Sequence, residues 1–307
     1  MERARQQIVR AVTDVSGRHD EPELYAEPPG DPGLCGPGSL SWEIHGDVSA
    51  STIAGTAAIT MELLHPSVMA GVSDLSGYRT NPLKRARNTA GYVIATTFAG
   101  TEAAERVIAR VRRMHERVNG TRPDGTPYAA TDPALLGWVH TSIPWFVMKT
   151  FERYNRPLSP EERNRYLAEQ AVIGRKGGAG EIPTTMDQLA EYVEEMRPHL
   201  CVTEQTREFF DFLIENTEGP GLPGPLRRPS NQFEVHASMS LLPRWARELT
   251  GFAHSDLITQ TVFEPYLRQA ARTLRWAFGV PPYRAMAEAR MAGSAARAGR
   301  AAAGVAA

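Results

Sequence analysis

Residues 81–120, NPLKRARNTAGYVIATTFAGTEAAERVIARVRRMHERVNG, constrain the fold more than any other stretch. They read as two helical segments hinged at Gly100, with polar side chains on faces that a core helix would keep apolar. In the second segment Val107, Val111, Met114 and Val118 recur at the spacing of one helix face, and at about 3.6 residues per turn His115 falls inside that stripe. The imidazole is therefore expected to point inward, with Arg112 one turn before it on the flank. In the first segment Arg85, Thr89, Tyr92 and Thr96 share a face. Two polar faces turned inward predict a buried polar ligand between them.

The remaining elements read as helices too. A small-residue face of Ala54, Ala57, Ala58, Met61 and Leu64 marks a helix over residues 51–65, ended by Pro66, with a turn-rich link over 71–82. Turn formers fill 119–131. Asp132-Pro133 is an N-cap followed by proline at the first helical position, opening a helix through Trp138, His140, Thr141, Trp145 and Phe146. Ser159-Pro160-Glu161-Glu162 opens another, followed by a Gly-rich loop, RKGGAGEIP, without the spacing of a phosphate cradle. Residues 185–197, 203–216 and 257–278 read as further helices, and an amphipathic region over 233–251 follows a Pro/Gly linker, PGLPGPLRRPSNQ. Few stretches alternate in period two, so the expected class is all-α, a single-domain helical bundle.

Composition sets the outer limits. The chain has 307 residues and no internal shift of composition over 40–280, which gives an N-terminal arm (1–40), one helical domain (41–284) and an Ala/Gly/Arg low-complexity tail (285–307) with nothing to bury, expected to be disordered or a frayed helix. With 34 basic and 35 acidic residues, nothing points to nucleic acid or an anionic membrane as partner. No apolar run approaches the roughly 20 residues of a membrane span. Cys35 and Cys201 form no CxxC pair, and the opening MERARQQIVRAV is charged where a secretion signal needs an apolar core. The expected location is cytoplasmic.

His115 is the sharpest candidate for chemistry. A lone histidine on an apolar face is more often a core residue satisfied by a carbonyl or carboxylate. Here Arg112, the polar face of the preceding helix and the lack of a second histidine or carboxylate at chelating spacing favour a ligand. A single protein ligand suits a cofactor that brings most of its own coordination, and haem is such a cofactor, with arginines to neutralise its propionates. No CxxCH occurs, so it would be held without thioether links. Glu62 and His65 form an ExxH, one half of a carboxylate-bridged di-iron signature whose other half is not found. No GxSxG occurs, so acyl transfer has no support.

Several ordered blocks then carry a resemblance. LLHPSVMAGVSDLSGYRTNPLKRARNT, RRMHERVNGT, PYAATDPALLGWVHTS, LSPEERNRYLAEQ and IPTTMDQLAEYVEEM, together spanning roughly residues 45–200, resemble the MpaB-type oxygenase family, which is related to the latex-clearing proteins that cleave rubber. The resemblance implies an all-α fold enclosing a non-covalent b-type haem with His115 as proximal ligand, Arg85 and Thr89 beside the haem, and Arg112 one turn before the histidine. Asn88 stands where rubber-cleaving relatives can carry a lysine able to cap the iron, and Leu75 where many relatives have a histidine. The expectation is a haem-b-dependent oxygenase or oxidase that uses dioxygen on a small hydrophobic metabolite, by C=C cleavage or hydroxylation. Arg85 and Thr89 would orient the oxygen, Arg112 would pair with a propionate, Tyr92 and Asn88 would border the cofactor, and Trp138, His140, Thr141 and Trp145 would line a substrate pocket. The alternatives are a non-catalytic haem-binding or sensing protein and a di-iron helical oxygenase.

Overall fold

A computed structural model describes residues 2–16, 23–75, 77–216 and 224–305. In chain order the described helices are α1 (Glu2–Ser16), α2 (Glu23–Ala26), α3 (Leu40–His45), α4 (Val48–Leu63), α5 (Pro66–Leu75), α6 (Pro82–Phe98), α7 (Thr101–His115), α8 (Pro133–Tyr154), α9 (Pro160–Gly177) and α10 (Met186–Met196). They continue with α11 (Glu204–Asn216), α12 (Gly224–Met239), α13 (Arg244–Thr250), α14 (Asp256–Ile258), α15 (Glu264–Phe278) and α16 (Pro282–Val305). An antiparallel ribbon, β1 (Asn119–Thr121) and β2 (Pro127–Ala129), closes the stretch read as a loop, pairing Asn119 with Ala129. The all-α class holds. Among the described residues, no helix is long and apolar enough to cross a membrane.

The helix α4 is apolar around nearly its whole circumference, which marks it as the central one. Ile53, Ala54, Ala57, Met61 and Leu64 are buried there, and the long α8 lies against it with α15, α12 and α3 around. Small residues on α4 allow that close approach. From α8, Trp138, Phe146, Val147 and Phe151 enter the same core, and the Trp138 indole donates to the Met61 carbonyl at 3.3 Å.

A second, smaller core holds the α6–α7 elbow. Tyr25, Trp42, Ala95, Phe98, Ala104 and Tyr283 pack there. At the elbow α7 has Gly100 at its N-cap and no side-chain cap of its own, so the arm supplies one: the Asp31 carboxylate accepts from the Thr101 N–H at 2.7 Å and from its hydroxyl at 2.6 Å. Only glycine fits at position 100, because a Cβ there would stand 2.6 Å from the Glu27 carbonyl. The arm also includes α1, which lies on α6 and α15.

Three expectations are corrected. The link read from residue 71 is still helical up to Leu75, in α5, which Pro66 opens after ending α4, because proline suits a first helical position and the His65 ring accepts from the Ser67 N–H at 3.2 Å through Nδ1. The Pro/Gly stretch from Gly224 is helical in α12, where burial of Val235, Ala237 and Met239 outweighs weak local propensity. The tail does bury side chains: Ala287 is fully covered, and the Arg290 guanidinium donates to the carbonyls of Tyr25 at 2.7 Å, Asp31 at 2.8 Å and Phe98 at 3.0 Å. Composition hid that anchor because a single arginine carries it.

Candidate functional site

Four helices contribute to one polar corner. His115 is the last residue of α7, partly buried, at the end of a stripe formed by Ala104, Ile108 and Val111. Burial holds its imidazole below the usual histidine range. His140, from α8, is within its electrostatic reach, and burial first and the His115 charge second bring His140 down to about 4. Both rings are therefore neutral at pH 7, with a lone pair to offer. Tyr92, from α6, sets its ring 5.9 Å from that of His140, and burial pushes its phenol up. Gly177, closing α9, seals the pair: a Cβ there would stand 2.7 Å from His140 Nε2 and 3.4 Å from the Tyr92 hydroxyl.

Cations gather on the outer side. Arg112 is exposed, 3.7 Å through its Nε from where a Cβ on Gly178 would be. With Glu105, Ile108, Arg113, Glu116 and Lys176 it lines a cleft of about 340 Å³, in which Lys176 pairs with Glu105 at 2.6 Å. Arg85, on α6, is of another kind. Its Nε is buried without a partner, and it acts on Glu62 of α4, whose carboxyl burial pushes up to about 8.

Not every candidate joins the corner. Asn88 and Thr89 are exposed, and the Thr89 hydroxyl donates to the Arg85 carbonyl at 3.3 Å. Thr96 is buried but satisfied within its own helix by the Tyr92 carbonyl at 2.8 Å. The inward polar face expected of α6 is thus interrupted, because its first turns lie at the surface and continuous burial begins only at Ala95. Met114 likewise leaves the α7 stripe and is 55% exposed. From α8, His140 lies against Tyr92 and within the electrostatic reach of His115. Trp138, turned by roughly 200° from it around the helix, faces α4; Trp145 rests on Phe146 with centroids 4.9 Å apart; and Thr141 is buried with its hydroxyl unpartnered.

Sequence reasoning weighed Glu62 only as half of an ExxH di-iron pair, though a second signal was present: it is the one ionisable side chain within α4. Gly177 had no local signal, since its role rests on contacts with α6 and α8. The ExxH histidine is engaged by Ser67, and among the described residues no group of three or more His, Cys, Asp or Glu converges as a metal site.

A family model described as "ER-bound oxygenase mpaB/B'/Rubber oxygenase, catalytic domain" matches residues 42–276, well over half of the chain. No curated protein and no solved structure matches it.

Proposed function

The chain belongs to the MpaB and rubber-oxygenase catalytic-domain family, and from that premise we propose that it is a haem-b-dependent oxygenase acting with dioxygen on a small hydrophobic metabolite. One observation carries the reading: a partly buried imidazole, His115, is kept neutral by its burial at the end of a helix whose last turn also holds Arg112 and Arg113. A neutral ring is the form that ligates iron.

The donor set fits the group. One imidazole would hold an iron that a porphyrin already ligates through its own four nitrogens, and Arg112 and Arg113, on the neighbouring cleft beside the Lys176–Glu105 pair, would neutralise its propionates. Bound haem supplies the redox chemistry that adds oxygen to the substrate, by C=C cleavage or hydroxylation. The side chains bind and orient. Arg85, a cation without a fixed partner at Nε, is free to orient a negatively polarised group, and the Thr89 hydroxyl steadies the helical turn that carries it. Tyr92 and His140, both uncharged, make a dry wall suited to an apolar substrate. Asn88 is exposed and has no part in this reading.

The test is the absorption spectrum of the purified protein before and after dithionite, followed by hemin titration. A Soret band is expected, and His115→Ala should weaken hemin uptake about tenfold or more. Colourless protein that takes up no hemin overturns the reading. Consumption of dioxygen with a hydrophobic alkene separates an oxygenase from a haem carrier.

A further inference from the structure

Glu62 is buried, 7% exposed, between Met61 and Leu63 on the central helix α4. Across from it, on α6, stands Arg85, and each acts electrostatically on the other. A buried carboxyl beside a guanidinium ordinarily closes into a short, often bidentate pair. Here no direct ion pair or hydrogen bond joins them among the described residues, and Arg85 Nε is buried with no partner. The hydroxyl of Tyr78, from the α5–α6 link, is also buried without a partner and lies within reach of the Arg85 charge. Three segments thus bring together polar groups with unused hydrogen-bonding capacity. Buried groups left so are uncommon and call for a reason.

We propose that Glu62 is a positioning residue of the oxygenase site: protonated, it leaves Arg85 an uncompensated cation that can draw a negatively polarised group, and ionised, it neutralises Arg85 and turns that attraction off. The proton passes between the Glu62 carboxyl and water, and no electron moves. The proposal rests on the functional reading above, in which Arg85 is the orienting cation.

The electrostatics agree with the geometry. Burial, opposed in part by Arg85, leaves the carboxyl at about 8, so the acid is protonated near neutral pH. Arg85 is the one charged group acting on it; no ionisable group of α3, α5, α8, α12 or α15, the helices packed on α4, does so.

Infrared titration of the purified protein tests the coupling without reference to haem or turnover. A protonated-carboxyl band is expected to disappear as the pH rises through about 8, to be absent in Glu62→Gln, and to titrate at higher pH in Arg85→Gln, where the opposing cation is gone. Turnover then tests its use: Glu62→Gln should flatten the alkaline limb of the kcat profile, and Glu62→Asp should restore it. No band lost in Glu62→Gln, or a titration that ignores Arg85→Gln, overturns the proposal even if one variant folds poorly. A chain that takes up no hemin yet shows the coupled titration sinks the haem reading and leaves the charge coupling standing. A haem-loaded chain without that titration does the reverse.

Discussion

The two sides of α8 are built on different rules. Towards α4, Trp138 is fully buried, its indole satisfied by the Met61 carbonyl, and the surroundings are aliphatic and aromatic. Two residues further along the chain, His140 points the other way, to Tyr92, to His115 and to the glycine that ends α9. The first side uses its polar atom to complete a core. The second places two neutral imidazoles and a phenol where leucines would pack better, which a stable fold alone does not require. That contrast sets a polar surrounding of α8, towards α6, α7 and α9, against the apolar one that Trp138 meets towards α4.

Truncation should separate the two sides most clearly. Trp138→Ala removes a fully buried indole and is expected to cost about 3–5 kcal/mol, lowering the melting temperature by roughly 10 °C. His140→Ala should cost less than half as much, since an imidazole removes less apolar surface from water than an indole does. Thermal and denaturant unfolding of both variants measure the difference. Equal losses would make His140 another core residue and dissolve the comparison.

Filling the glycine comes next in size. A methyl at Gly177 meets His140 Nε2 at a distance no real contact shows, so Gly177→Ala must displace that ring or the end of α9. The expected cost is about 1–3 kcal/mol. A loss of hemin or substrate binding that exceeds the loss of stability would show that the glycine shapes the site. A loss of stability alone would show that it only lets α9 pack.

How much of this was legible follows from range. The elbow at Gly100, the Asp132-Pro133 start and the Ser159 capping box are local devices, and each stands where the sequence placed it. Of the stripe that placed His115 by period, Val107 and Val111 are half-buried as the ring itself is, while Met114 is exposed and Val118 lies beyond the end of α7. Thr89 was misplaced for a physical reason: helix period says which residues share a face, not how far along the helix the core extends, and burial on α6 is continuous only from Ala95. Arg290 acts through contacts more than a hundred residues away, and Gly177 through His140 and Tyr92, about forty and about eighty-five residues away, beyond the reach of any window.

The smallest expected effect concerns a histidine of the structural kind. His45 ends α3 fully enclosed, its Nε2 2.9 Å from the Tyr166 hydroxyl of α9, and burial brings its pKa from 6.5 down to about 4. In the folded chain it stays neutral between those values, while in the unfolded chain it takes up a proton. Its contribution to stability is therefore present above pH 6.5 and is lost as the pH falls through about 4. His45→Gln, which keeps a polar group near Tyr166 but does not titrate, should lower stability slightly at pH 7 and flatten the dependence of unfolding free energy on pH in that window. Denaturant titrations at pH 7, 6, 5 and 4 measure the slope. An unchanged slope would mean that this ring is protonated in the folded chain, and the distinction between a sealed core histidine and the site pair, His115 and His140, would have to rest on geometry alone.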